Sequence, residues 1–417
     1  MPDETEIVTK LSCTCCIAGG GPAGVMFGYL LARAGVDTII LEKHKDFFRD
    51  FRGDTVHPST LELFHELGLL DAFLKRPHQE YRKLEAQVGK FTVRIADFTK
   101  IPTYCKFIAI VPQWDFLNFL SSDGARFPGF RLYMEHEVTG LIEEGGQIRG
   151  VTGLSPGGTF EVRAPLTVAA DGRHSTVRER SALRVHDLGA PIDVLWMRLT
   201  RRPDDPEFAL GRIAARKFMV TINRGDYWQC AFVIAKGAFE EIKSQGLPAF
   251  RQGIVEVAPF LGDRVHELAN WDCIKLLSVA VDRLVTWHTP GLLCIGDAAH
   301  AMSPVGGVGI NLAVQDAVAA ANLLAEPLRA GRVTAGDLER VQRRREFPAK
   351  VTQRVQVFAH THVIFPFLRG EISLDRLPLA AHLLNRFAFL RRLIGRGGGV
   401  GVRPEHVRMP EQPHVRS

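Results

Sequence analysis

Several things are missing from this sequence, and each absence closes off a class of function. No apolar run reaches the roughly 18 residues that a helix needs to cross a bilayer. A secretory start is not expected: residues 1–10 carry three acidic side chains before any apolar run, unlike a basic and then apolar leader. Cysteine is sparse, seven in 417 residues. After Cys13, Cys15 and Cys16 no second cysteine pair or histidine cluster follows at ligand spacing, so no metal site is expected and the cysteines read as reduced, cytoplasmic and structural. No internal repeat or low-complexity segment is present, which excludes a solenoid. The net charge of +6 sits unevenly: residues 340–417 hold 15 basic against 5 acidic side chains, a net of +10, which leaves −4 for the rest. These arginines lack the interleaved aromatics that stack on bases, so no nucleic-acid partner is expected. What remains is an enzyme-like composition, 46% hydrophobic and 24% charged, long enough for two or three packed units.

The most informative stretch that is present runs from Cys16 to Glu42. Gly19, Gly21 and Gly24, with Pro22 and Ala23 between them, fit G-x-G-x-x-G, after a short apolar strand and before a helix-like run. Such glycines permit a tight turn, a close approach of backbone to a pyrophosphate and tight helix–strand packing. The diphosphate would rest on the helix N-terminus, where free N–H groups and the dipole favour negative charge. Residues 36–41 are β-branched and apolar, a second parallel strand, and Glu42 ends it 18 residues past Gly24, placed to accept from both ribose hydroxyls. The motif by itself does not separate FAD from NAD(P).

Further along, residues 58–64 read as a helix start with Ser59 or Thr60 near the cap, ended by Gly68. Residues 82–111 alternate like strands of a different sheet, and a second helix begins within 111–117. Residues 130–138 and 162–170 each read as one strand, the latter running into Asp171-Gly172. Residues 217–222 and 227–233 flank Asn223-Arg224-Gly225-Asp226, a hairpin by its turn residues. A short buried strand, 292–295, leads into Gly296-Asp297, and a long helix covers 311–328. In the basic tail Leu379, Leu383, Phe387, Leu390 and Ile394 share a helical face, expected to pack on the protein and not on a membrane, with Arg386, Arg391 and Arg392 off it. Residues 397–401 read as a flexible glycine connector.

Three motifs stand in order: Gly19-x-Gly21-x-x-Gly24 with Glu42; residues 170–178, Ala-Asp-Gly-Arg-His-Ser-Thr-Val-Arg; and Gly296-Asp297-Ala298-Ala299-His300 followed by Pro304 and the glycine-rich run to Leu312. Together they resemble the single-component flavoprotein aromatic hydroxylases, the family of 4-hydroxybenzoate hydroxylase, over about residues 15–330. The resemblance implies an α/β fold: a Rossmann-like FAD-binding domain (12–80, 112–185 and 280–345) interleaved with an antiparallel-sheet substrate domain (81–111 and 186–279), then C-terminal helices (346–417). The tail is too short for the thioredoxin-like extension of some phenol hydroxylases.

The cofactor contacts that the resemblance implies begin with Gly19, Gly21, Pro22, Ala23, Gly24, Glu42 and Lys43 at the adenosine end. Arg52 would span the pyrophosphate, Gln113 bind the ribityl chain and Val138 offer backbone to the adenine. Asp297 would hold a ribityl hydroxyl, the other role open to it being the cap of a following helix. Pro304, Gly307, Gly309, Ile310 and Asn311 would lie against the isoalloxazine, with the helix N-terminus aimed at N1 and O2. Asp171 would lie behind the FAD site where NADH or NADPH approaches, with Arg173, His174 and Arg178 near its phosphates.

The implied reaction is reduction of FAD by NAD(P)H, addition of O2, and transfer of oxygen through a flavin C4a-hydroperoxide to an aromatic or polyketide-like small molecule. The cofactor carries that chemistry, so no catalytic side chain is demanded. Asp54, His57 and His300, the titratable groups nearest the motifs, read as structural. No Trp-x-Trp-x-Ile-Pro is present, so the flavin halogenases lose their hallmark. The polar residues that grip a carboxylated phenol do not align either. Phe218, Tyr227, Trp228 and Phe232 stand on those strands, pointing to a bulkier, more apolar substrate. Two alternatives remain at this point: an FAD-dependent dehydrogenase or reductase of a lipid or isoprenoid, and a flavin-binding sensor. A cytoplasmic monomer or homodimer is expected.

Overall fold

A computed structural model describes residues 8–48, 55–206, 211–214, 216–372, 377–409 and 411. Its centre is a parallel sheet built around Cys15–Ala18, which pairs with Thr38–Glu42 on one side and Leu166–Ala169 on the other. Phe130–Met134 and Leu292–Cys294 extend it in parallel, and His288–Thr289 closes one edge antiparallel. Every residue of Cys15–Ala18, Leu166–Ala169 and Leu292–Cys294 is buried, as continuous apolar runs covered on both faces should be. The cysteines here act as small hydrophobes: burial pushes the Cys15 and Cys294 thiols well above their ordinary range. Helix Pro22–Arg33 follows the first strand and packs on the long helix Gly309–Arg329.

A second sheet of seven strands runs in the order Lys275–Leu277, Ile192–Thr200, Tyr227–Ala235, Lys217–Asn223, Gly211–Ala214, Lys83–Val88 and Phe91–Asp97. Asn223 and Tyr227 bracket the hairpin turn expected there. Period two splits its side chains between two cores. Leu195, Met197, Met219, Trp228, Cys230 and Phe232 pack under helix Leu247–Val257. On the other face Ile192, Val194, Phe218, Val220, Ala231 and Val233 meet Val305, Ile364 and Leu368.

Several expectations are corrected. Residues 130–138 form two strands in different sheets, Phe130–Met134 and Glu137–Glu144, because Glu135 turns the chain with φ 57°. Residues 162–170 likewise split at Ala164-Pro165 into Gly158–Arg163 and Leu166–Ala169. The helix after Val56 is capped by His57 with Pro58 at its first position, not by Ser59 or Thr60. Ile108–Ile110 leaves the seven-stranded sheet to pair with Thr55–Val56 and Gln79–Tyr81. Helix Ala335–Ala359 runs unbroken through residue 346.

The tail departs most. Residues 397–399 end the helix Ala388–Gly399, with Gly399 buried against Phe98 and Ile101, so they are no loose connector. The apolar face expected to pack on the protein is largely turned outward: Leu379, Leu383, Phe387 and Ile394 are exposed.

Candidate functional site

The first site element is the glycine turn after Ala18. Gly19 holds φ 105° while its N–H donates to the Leu41 carbonyl at 2.8 Å, which locks the turn onto the neighbouring strand. A Cβ on Gly24 would stand 1.9 Å from the Gly19 carbonyl oxygen, so only glycine lets the helix start this close to the turn. Gly21 is the N-cap and Pro22 the first helical residue; no side chain caps this end, so its free N–H groups are left for an anion. Glu42 at the neighbouring strand end reaches over the turn: its Oε2 accepts from Gly20 N at 3.0 Å and its Oε1 meets the His44 N–H and ring. Lys43 beside it is exposed. Together these residues fit the adenosine diphosphate half of a dinucleotide.

The second element lies between two strand ends. Asp171 follows Leu166–Ala169 and Asp297 follows Leu292–Cys294, neighbours in the parallel sheet. Asp171 Oδ2 accepts from Val177 N at 3.2 Å, and Oδ1 is buried without a partner among the described residues. Burial raises its pKa, against the hydrogen bonds from Ser175 and nearby backbone. Arg173 reaches across to Asp297 at 3.4 Å, and its second terminal nitrogen is also buried and unpartnered among the described residues. Asp297 caps no long helix; it sits in a single 3₁₀ turn, Gly296–Ala298. Orphaned donor and acceptor atoms at adjacent strand ends fit a polar, hydroxyl- and phosphate-bearing ligand.

The third element is the loop from Ser303 to Gly309, gripped from two sides. Gln356 and His360 hold Ser303, and Gln356 Nε2 also donates to the Val305 carbonyl at 2.9 Å. On the other side Thr55 Oγ1 donates to Gly307 O at 2.6 Å. Asn311 Oδ1 accepts from His57 N and Thr60 Oγ1 at 2.7 and 2.8 Å, while its Nδ2 donates to Thr55 and Gly307. The Asn311 amide is therefore spent on holding the loop, and what this helix start presents is backbone. No side chain caps it at Val308, and such an N-terminus favours an anion by roughly 0.3–2 kcal/mol. Pro304, Gly307 and Gly309 are half-buried and Ile310 is buried.

Behind the Gly296-Asp297 turn lies a buried ionic chain that the sequence reading missed. Asp316 Oδ2 accepts from Gly296 N at 3.1 Å and meets His300 Nε2 at 2.5 Å, and its Oδ1 accepts from Arg345 Nε at 2.8 Å. Arg345 continues to Glu405, which also pairs with Arg344 at 2.6 Å. Burial works to raise the Asp316 carboxyl, but His300 and Arg345 outweigh it and hold it below the usual carboxylate range. His300 also rests on Trp287, ring centres 4.9 Å apart.

The remaining expected residues separate into groups. Gln113 is the first residue of helix Gln113–Gly124 and is half-buried; Val138 is buried near the start of Glu137–Glu144. Arg52 and Asp54 lie outside the described residues. Arg178 is buried, paired to Asp282 at 3.2 Å and donating to the Arg173 carbonyl, so it anchors the turn, whereas His174 is exposed. Phe218 and Tyr227 stand on the sheet face that meets Val305, Tyr227 under Arg198 near one end. Trp228 and Phe232 stand on the opposite face, inside the core under helix Leu247–Val257. Trp228 Nε1 donates to Asp205 at 2.7 Å, and Asp205 pairs with buried Arg264 at 2.6 Å. Burial alone would raise Asp205, but Arg264, the Arg202 amide and the Trp228 indole bring it down to about 2.

Comparison with known proteins agrees with this geometry. The model of the family described as "FAD binding domain" matches residues 12–355. The chain is 30% identical over 383 residues to 6-methylpretetramide 4-monooxygenase of Streptomyces rimosus, covering 91% of each protein. It is 26% identical to digeranylgeranylglycerophospholipid reductase of Methanocella arvoryzae, over 89% of this chain and 91% of that one. Among solved structures it shares the fold of OxyS anhydrotetracycline hydroxylase from Streptomyces rimosus: TM-score 0.75, 23% identity, 94% of this chain and 77% of that chain. With its glycine turn, acid-ended second strand and loop-to-helix turn all in register, the chain belongs to the FAD-binding-domain family and is an FAD-dependent monooxygenase of the aromatic hydroxylase type, with NAD(P)H as reductant.

Proposed function

We propose that this monooxygenase hydroxylates a flat, multi-ring phenol of the polyketide type, held between the Ser303–Gly309 loop and the seven-stranded sheet. The observation that carries the reading is the near end-to-end match to 6-methylpretetramide 4-monooxygenase. The sheet supports it, because the face toward Val305 is apolar across three strands, with Val194, Phe218, Val220 and Ala231. Such a wall suits ring stacking and keeps water away from the reacting atoms. FAD, when bound, supplies electron transfer from NADH or NADPH and the activation of O2. The glycine turn and Glu42 would take its adenosine end, and Asp297 with Arg173 its ribityl and phosphate groups. Helix Gly309–Arg329 would lend its N-terminus to negative charge on the ring system. His300 is already bonded to Asp316, and His57 to the Gly398 carbonyl, so neither is assigned a proton-transfer role. The enzyme is read as a cytoplasmic monomer or homodimer.

The test is a reaction of the purified holoprotein with a tetracyclic phenol such as 6-methylpretetramide, with either nicotinamide. The expected product gains one oxygen atom, with one O2 consumed per NAD(P)H. The similarity to a phospholipid reductase favours one rival, reduction of an isoprenoid chain. A product gaining two hydrogens without O2 uptake would establish that rival instead.

A further inference from the structure

Two consecutive helices near the C-terminus, Leu379–Arg386 and Ala388–Gly399, leave most of their bulky apolar side chains exposed, with Leu384 and Leu390 half-buried. The inward face of the second is made of small residues. A Cβ on Gly395 would stand 2.2 Å from the Asp97 carbonyl oxygen, so this helix lies flush on the end of strand Phe91–Asp97. At 100° per residue the direction opposite Gly395 falls between Phe389, Leu390, Leu393 and Ile394. Phe389 is 62% and Leu393 65% exposed, and Leu379 in the preceding helix reaches 75%. Single exposed apolar residues are ordinary, but six of them within residues 379–394, on two helices that meet at Phe387, are not.

Charge identifies what fits this face. Arg386, Arg392 and Arg396 are exposed on these helices, while Arg391 is spent on the Leu384 and Asn385 carbonyls. The described part of the two helices carries no acidic side chain, and residues 340–417 together carry +10. A second copy of the chain docked about a twofold axis would bring arginines toward arginines. An apolar surface with a basic margin and no acid is the composition of a helix lying in a lipid interface. No described helix is long and apolar enough to cross a membrane, so attachment by this pair would be peripheral.

We propose that this helix pair docks the enzyme on an anionic lipid surface, with Leu379, Leu383, Phe389 and Leu393 at the acyl boundary and Arg386 and Arg396 among the lipid phosphates. The proposal is independent of which substrate the enzyme takes. It is tested by flotation of the FAD-loaded protein with phosphatidylcholine vesicles, with and without phosphatidylglycerol, at about 0.15 M salt. The wild type is expected to float with the phosphatidylglycerol vesicles only. Phe389→Asp with Leu393→Asp should abolish flotation while leaving FAD content and melting temperature unchanged, since both side chains face outward. Arg396→Glu keeps the exposed apolar residues and should weaken partitioning by at least about fivefold. Three outcomes overturn the proposal: no flotation with phosphatidylglycerol, equal flotation with neutral vesicles, or a stable dimer that the aspartate pair dissociates.

Discussion

The cradle around the parallel sheet and the seven-stranded sheet beside it are both made of strands, yet they encode their surfaces differently. In the cradle, position is set by backbone: a glycine that must turn, a strand end, a helix start with unsatisfied N–H groups. In the seven-stranded sheet, position is set by side-chain parity, and a shift of one residue exchanges a wall facing the loop for a core residue. Trp228 and Tyr227 are adjacent in sequence, but the indole is bonded to Asp205 under a helix and the phenol lies on the other side. Backbone requirements leave motifs that can be read; parity leaves only alternation.

The largest effect is expected where the cradle is braced by buried charge. Asp316→Ala leaves Arg345 and His300 without their shared partner and frees Gly296 N, in a site where all three side chains are buried. Breaking such a pair from one side costs about 3–5 kcal/mol. Thermal melts of the apoprotein should show that loss, and FAD titration should show weaker binding as the Gly296-Asp297 turn loosens. A variant with wild-type melting and wild-type FAD affinity would mean the chain does not brace the site.

The two faces of the sheet can be separated next. Phe232→Ala should cost about 3–5 kcal/mol of stability by opening a cavity under helix Leu247–Val257, with the KM for the aromatic substrate unchanged. Phe218→Ala, half-buried on the face toward Val305, should raise that KM with a smaller loss of stability. Equal KM changes in both variants would contradict the assignment of faces.

Within the cradle the charged contacts come third. Glu42→Ala should weaken FAD by on the order of 1.5–3 kcal/mol, the worth of hydrogen bonds to a carboxylate. Asp297→Asn should lower FAD affinity about tenfold, roughly 1.4 kcal/mol, without destabilising the apoprotein, because this carboxylate caps no long helix. Unchanged FAD dissociation constants would remove both residues from the cofactor site.

The same contrast explains how much of the molecule could be read from the chain. The glycine turn, Glu42, the Asp171 and Asp297 strand ends and the long helix near 311–328 were legible because each answers a local backbone demand. Asp316 answers no such local demand; an acid inside the run Ala313–Ala321, otherwise rich in alanine and valine, says only that it needs a partner. Arg345 and Glu405 could not be named as those partners, since long-range pairing leaves no spacing signal. The tail failed for a related reason. Its apolar period predicts one helical face, but the chain breaks at the extended residue Phe387 into two helices, and periodicity does not say what covers a face; here glycine makes the inward contact.

The smallest expected effect joins the cradle to that tail and depends on pH. His57 is buried; its Nδ1 donates to the Gly398 carbonyl at 2.8 Å, and its Nε2 has no partner among the described residues. Burial lowers its pKa, although the Gly398, Gly306 and Gly307 backbone favours the charged ring. The ring also sits at the N-cap of helix Pro58–Glu66, where a positive charge is disfavoured. With the folded value below the unfolded one of about 6.5, the unfolded chain binds the proton first as pH falls. The stability that His57 contributes is therefore complete above pH about 6.5 and is lost progressively below it. Melting temperature should drop between pH about 7.5 and 5 more steeply in wild type than in His57→Asn, whose side-chain amide can still donate to Gly398. Parallel pH profiles in the two proteins would show that His57 titrates alike folded and unfolded, and that the tail is not held to the cradle through a neutral imidazole.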